Sequence, residues 1–157
     1  MFKSYLPNAI TGIQFKERPE PVPFNYRISY KVAQLCIILF MIKKGGCSFE
    51  KLQMIASAIS NEYAMMQVID YINGKLPDYS IISFDPSVNY ALLYARAEEL
   101  IVFQANGKMK LSEKGKQFAR EIFDNEIMEN EKNSLKKIIG DISDEAVAEL
   151  VKRWGGI

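Results

Sequence analysis

The stretch from Asp85 to Ala119, DPSVNYALLYARAEELIVFQANGKMKLSEKGKQFA, constrains the fold more than any other part of the chain. Asp85 suits a helix N-cap, and Pro86 suits the first helical position, where its missing N–H costs nothing. Val88, Ala91, Leu92 and Ala95 recur at helical spacing and turn one stripe inward. Leu100, Ile101, Val102 and Phe103 form a short β-prone run. Asn106-Gly107 follows, a hairpin signal in which both positions tolerate the positive φ of a type I′ turn. Met109 and Leu111 alternate with Lys108 and Lys110 on the return strand. Ser112 then caps a helix whose Phe118 and Ile122 face the core. The stretch therefore predicts helix, strand, tight turn, strand and helix, in that order.

That order is the ending of a winged-helix domain. The run EELIVFQANGKMKLSEKGKQFA resembles the wing of many bacterial winged-helix proteins, where a Leu-Thr/Ser-Glu-Lys-Gly run follows the hairpin. The fold expected is mainly α with a small antiparallel sheet: a winged helix-turn-helix with an extended N-terminal arm and short C-terminal helices. Functionally diverse families share this wing, so it implies a fold and leaves the function open.

The remaining segments support that unit. Residues 1–26 cannot form a long helix, because Pro7, Pro19, Pro21 and Pro23 interrupt it and Thr11-Gly12 adds a turn. Phe2, Tyr5, Leu6, Ile10, Ile13, Phe15 and Phe24 are too many apolar anchors for a disordered tail. Two readings stand: an arm packed across its own domain, or one wrapped around a partner. A first helix is expected from about Arg27 to Lys43, with Ile28, Val32, Leu35, Leu39 and Ile42 facing inward. Ile37, Ile38, Phe40 and Met41 fill its other sides, which places its second half centrally in a core or an interface. Lys43-Lys44-Gly45-Gly46 ends it.

Ser48 opens a second helix that buries Leu52, Ile55, Ala56 and Ile59, and Asn61 opens a third with Met65, Val68, Ile69 and Ile72 inside. Met65 and Met66 could form an adaptable binding surface, but helical spacing favours both packing in the core. Ile81–Phe84 reads as a strand able to join the two wing strands. Helical patterns near Asn130–Ile139 and Ser143–Trp154 close an acidic tail. The domain division expected is an arm at 1–26, a winged-helix domain at 27–124 and a helical appendage at 125–157.

Composition excludes much chemistry. The 157 residues suit one domain with a sizeable core, and a net charge of +1 favours neither nucleic acid nor membrane in bulk. There is no histidine, so the commonest metal ligand and general base are missing. Cys36 and Cys47 have neither metal-site nor redox-motif spacing and read as reduced thiols, Cys36 buried in an apolar helix. No phosphate-binding glycine loop is present, and Glu98-Glu99, adjacent on a helix, point in different directions. The N-terminus lacks a signal-peptide pattern, and the apolar run Leu35–Met41 is far short of the roughly 20 residues that span a membrane. A soluble, cytoplasmic, non-enzymatic protein without metal, cofactor or membrane association is expected.

Two binding surfaces remain. In a winged helix that reads DNA, the reading helix offers Arg, Lys, Asn or Gln to base edges. The helix from Ser87 to Glu99 instead exposes Ser87, Asn89, Tyr90, Leu93, Tyr94, Arg96 and Glu98, with tyrosines suited to anchoring a protein interface. Tyr90 and Tyr94, with Phe2, Tyr5, Leu6 and Phe15 of the arm, are the candidate partner-binding residues. Lys108, Lys110, Lys114 and Lys116 are candidate contacts to DNA phosphates, which position without reading sequence.

The order of features along the whole chain is more specific than the wing. An arm with prolines and an apolar helix ending in KKGGCS lead to FEKLQMIASAISN. YINGKLPDYSIISFDPSVNYALLYARAEELIVFQANGKMKLSEKGKQFA and the short acidic helices follow. This pattern resembles the small middle component of the ABC-three-component systems, the group that includes the Lamassu anti-phage systems. The resemblance implies a winged-helix, non-catalytic subunit of a bacterial antiviral defence complex. It would bridge an SMC-type ATPase and an effector, often a nuclease, with the wing assisting non-specific contact to duplex DNA. The alternative is a winged-helix DNA-binding transcriptional regulator.

Overall fold

The computed structural model describes residues 27–42 and 45–154. Among these, seven helices and one hairpin follow in the order α1 (Ile28–Met41), α2 (Phe49–Ser60), α3 (Glu62–Ile72), α4 (Pro86–Ala97), β1 (Ile101–Phe103), β2 (Met109–Leu111), α5 (Glu113–Asp124), α6 (Glu129–Lys136) and α7 (Asp144–Arg153). The chain is thus mainly helical with a small two-stranded antiparallel sheet.

Most helix starts follow from their caps. The side chains of Ser48, Asn61, Asp85, Ser112 and Ser143 each accept a bond from an N–H in the first turn of the helix they precede. Those donors have no partner inside the helix, so a short side-chain oxygen before it selects the start. α1 has no such cap at Arg27 and is held by burial instead. Leu35, Cys36, Ile37 and Ile38 are all excluded from solvent. Around them one continuous core gathers Leu52 and Ile55 of α2, Val88 and Leu92 of α4, Ile101 and Met109 of the hairpin, and Phe118 and Ile122 of α5. Leu135, Ile138, Val147 and Leu150 belong to the same core, so the C-terminal helices pack on the body rather than standing apart.

The structure departs from the sequence expectation at several points. Ile81–Phe84 forms no strand. Ser80 Oγ accepts from the Ile82 N–H and donates to the Ile82 carbonyl, and Asp85 N–H donates to Gln53 Oε1. Side chains therefore take backbone groups that a ladder would need. Ile81 and Ile82 are buried, while Phe84 stacks on Phe49 with ring centroids 5.7 Å apart. The free edge of β2 is met by Cys47, whose N–H and carbonyl both bond Met109, at 2.8 and 2.9 Å. Gly46 permits that approach: its φ is +79°, and a Cβ there would lie 2.8 Å from the Met109 carbonyl oxygen.

The hairpin turn also differs from the type I′ expectation. Asn106 keeps a negative φ, and only Gly107 is left-handed, at 82°. Gly107 N–H donates to the Gln104 carbonyl, Gln104 N–H to the Lys108 carbonyl, and Asn106 Oδ1 accepts from Lys108 N–H. The connection is the longer loop of a type I turn followed by a left-handed glycine. Ile28 and Met66, expected inside, are exposed, whereas Met65 is buried. The rotation of α3 that turns Met65 inward leaves Met66, about 100° further round, at the surface.

A close approach joins the hairpin to α5. A Cβ on Gly115 would lie 2.1 Å from the Leu100 carbonyl oxygen and 3.0 Å from Leu111 Cδ2. Ser112 N–H donates to that same Leu100 oxygen at 3.0 Å. The first turn of α5 is thus pressed on the backbone leading into β1, and the glycine of the LSEKGK run is sterically required. Gly115→Ala should cost about 3 kcal/mol, the upper range for overpacking a core. Gly140→Ala, with nothing within 4 Å of the added carbon, should change stability by less than about 0.5 kcal/mol. Chemical denaturation of the two variants measures the difference.

Candidate interaction surface

α4 carries two apolar stripes on different sides. Val88, Ala91, Leu92 and Ala95 face the core. Tyr90, Leu93, Tyr94 and Ala97 recur at the same helical spacing on the outer side. Tyr90 is 63% and Leu93 64% exposed, and Tyr94 is half-buried at the flank.

The rotation of α4 is set by polar contacts at its start. Asp85 Oδ1 accepts from Ser87 N–H at 2.9 Å and from Ser87 Oγ at 2.7 Å, and Asp85 Oδ2 lies 3.4 Å from the buried Lys31 ammonium. Gln53, fully buried in α2, accepts from Asp85 N–H and donates to Asn89 Oδ1 at 3.2 Å. Burial pushes the Asp85 carboxyl up, but the bonds from Ser87 and the Lys31 charge outweigh it, and the group titrates below the usual carboxylate range. With Asp85 and Asn89 both held against α2, the Tyr90–Leu93 side faces solvent.

The exposed apolar surface continues onto the hairpin. The Arg96 guanidinium stands 4.8 Å from the centre of the Phe103 ring, and Phe103 and Val102 are both exposed. Sequence reading took the whole Leu100–Phe103 run as β-prone without assigning sides. The run does not alternate: Leu100 and Ile101 are both buried and Val102 and Phe103 both exposed, so no local periodicity marked the outer pair. A second exposed group lies on α3 and the loop after it, where the hydroxyls of Tyr63 and Tyr79 are hydrogen-bonded and Met66 stands beside them on the outer face.

The four candidate lysines are not equivalent. Lys108 is paired with Asp144 at 2.9 Å, and Asp144 also accepts from Ser48 N–H at 3.2 Å, so hairpin, α2 and α7 meet at one carboxylate. Hydrogen bonding and attraction to Asp144 raise the Lys108 pKa. Lys114 donates to the Glu98 carbonyl at 2.8 Å, and Lys116 pairs with Glu113 at 3.2 Å on an exposed helix face. Lys110 is exposed and makes no ion pair among the described residues. The arm residues Phe2, Tyr5, Leu6 and Phe15 lie outside the described residues.

Glu98 and Glu99 do not share a helix face. Glu98 is the C-cap of α4 and Glu99 is left-handed at φ 61°. Cys36 and Cys47 are buried, and burial pushes both thiols up to about 12. Among the described residues no cluster of His, Cys, Asp and Glu could hold a metal ion, and no helix is long and apolar enough to cross a membrane. Comparison of the chain with protein-family models, curated proteins and solved structures gives no match.

Asp144 provides a pH test of the tie between hairpin and tail. Burial pushes its carboxyl up, but the bonds from Lys108 and Ser48 outweigh that, and its folded pKa lies below the usual aspartate value. A lowered folded pKa stabilises above the unfolded value and is lost as pH falls through the folded one. The wild-type urea midpoint should therefore fall steeply below about pH 4. Asp144→Asn should show a lower midpoint at pH 7 and a shallower acid limb.

Proposed function

We propose that this chain is a non-catalytic protein-interaction subunit on a winged-helix scaffold. The element order supports the scaffold: α1, the Cys47 bridge, α2, α4, and the β1–β2 hairpin, with Cys47 and β1 on either side of β2. α3 is then an additional helix between α2 and the helix that would occupy the reading position, α4. Following the resemblance of the whole chain to the middle component of ABC-three-component systems, we take its partners to be an SMC-type ATPase and an effector subunit of a bacterial anti-phage complex.

The observation that carries the interaction reading is the outer face of α4. Where a DNA reader would display cations, this helix displays Tyr90, Leu93 and Tyr94, and the one cation in its own sequence, Arg96, is laid over Phe103. Exposed aromatic and aliphatic side chains in one stripe suit a desolvated protein contact, in which tyrosine anchors contribute much of the affinity. Phosphate binding needs cations free of competing carboxylates, and Lys108 and Lys116 each have one. Lys110 is left as the foremost candidate for a non-specific DNA contact.

Tyr90→Asp with Leu93→Asp changes only exposed side chains. Helical content and thermal midpoint should hold, while affinity for a co-expressed SMC-type ATPase subunit falls about 30-fold or more, as loss of a 2 kcal/mol hot spot implies. The lysine variant Lys110→Glu, at an exposed position with no ion pair among the described residues, should leave that affinity within about threefold, since rim charges contribute little to it. Duplex binding that weakens steeply with salt, disappears in the lysine variant and ignores the α4 variant would instead establish a DNA-binding regulator.

A further inference from the structure

We infer that the outer face of α3, together with the loop that follows it, binds an arginine-bearing segment of a partner protein. Tyr63, Met66, Gln67 and Asp70 are spaced i, i+3, i+4 and i+7, and so line one stripe of α3. The loop folds back beside that stripe. Leu76, Pro77, Asp78 and Tyr79 share a cleft with Gln67 and Asp70, and the hydroxyls of Tyr79 and Tyr63 are hydrogen-bonded. Tyr63, Met66, Leu76 and Tyr79 are all exposed. Large apolar side chains gathered at the surface in this way mark a contact site, whereas scattered ones need no explanation.

The group is held in place from both ends. Asn61 Oδ1 accepts from Tyr63 N–H at 2.8 Å and starts the helix. At the other end Gly74 takes a φ of 91°, and Lys75 N–H donates to the Asp70 carbonyl at 3.0 Å, which turns the chain back. Pro77 fixes one φ of the loop, and the buried Ile81 and Ile82 anchor its far end. Tyr79 is thereby kept against Tyr63, so little freedom is lost when a partner lands there.

Charge selects the occupant. From Glu62 to Tyr79 the chain carries Glu62, Asp70 and Asp78 against Lys75 alone. Lys75 already faces Asp70 at 3.7 Å, while Asp78, next to Tyr79, makes no ion pair among the described residues. A carboxylate adjoining two exposed tyrosines suits a planar cation, because a guanidinium stacks on an aromatic ring and donates paired N–H groups to a carboxylate. Met66 and Leu76 are placed to cover the aliphatic stem of such a side chain. The same acidic balance disfavours nucleic-acid phosphates. It also disfavours a second copy packed on this face across a two-fold axis, which would bring like charges together.

This goes beyond the proposed function and does not depend on it, since the residues belong to α3 and its loop and not to the α4 stripe.

Titration of the isotope-labelled full chain with a blocked hexa-arginine peptide, followed by amide NMR, tests it. The signals of Met66, Asp70 and Tyr79 should shift most. Hexa-lysine, of equal charge, should bind about threefold more weakly or worse, because an ammonium lacks the planar stacking face. Tyr79→Ala should weaken hexa-arginine by about threefold or more, and so should Asp78→Asn, which keeps the side-chain shape. Asp141→Asn with Glu145→Gln, exposed carboxylates before and within α7, should leave the affinity within about twofold. Equal affinity for the two peptides, largest shifts at Asp141 and Glu145, or no binding at peptide concentrations on the order of millimolar would overturn the inference. Shifts of the same amides on raising the protein concentration alone would assign the face to a second copy and overturn it equally.

Discussion

The middle of α1 is closed to water on every side, and the rest of the structure follows from the need to cover it. Leu35, Cys36, Ile37 and Ile38 are consecutive and all fully buried, so helices must pack around the whole circumference. α2, α4, α5 and α6 and strand β2 all contact it. The same burial takes in Lys31 and Gln34, whose polar ends cannot be left without partners at tolerable cost. Ser60 at the end of α2 and Asp85 at the start of α4 meet that need. A buried ion pair adds little net stability, because desolvation offsets attraction. Its consequence here is positional: it fixes where α4 begins.

With its first residues held to Lys31 and Gln53, α4 can present only one side to the core. Tyr90 and Leu93 are outside because Val88, Ala91, Leu92 and Ala95 are inside. The exposed stripe is thus a product of the core rather than of a loose surface, and a partner would meet side chains mounted on a rigid helix. Such mounting lowers the entropic cost of binding relative to a loop.

The hairpin is constrained from three directions. Gly115 lets α5 press against Leu100, Gly46 lets Cys47 pair with Met109, and Asp144 draws Lys108 toward α7 and the start of α2. A projection that would be mobile with only two short strands is tied to α2, α5 and α7. One of its lysines is neutralised in the process. Charge that looks available along the strand is partly spent on holding the C-terminal helices, which share the main core through Leu135, Val147 and Leu150.

Local chemistry was legible in the sequence. The caps Ser48, Asn61, Asp85, Ser112 and Ser143 mark helix starts because a side-chain oxygen satisfies an N–H only two or three residues away. The helical order and the hairpin around Gly107 follow from equally short-range rules, as does the inner stripe of α4. What depended on distant parts of the chain was not legible. Cys47 rather than Ile81–Phe84 lies beside β2, because Gly46 allows the close approach and Ser80 and Gln53 take the competing backbone groups. The separate fates of Met65 and Met66, and the pairing of Lys108 with a residue 36 positions later, likewise required the folded chain. A sequence specifies which side chains can bury or pair. Only the tertiary packing decides which of them meet, because burial and Coulomb attraction act between surfaces that chain connectivity does not place together.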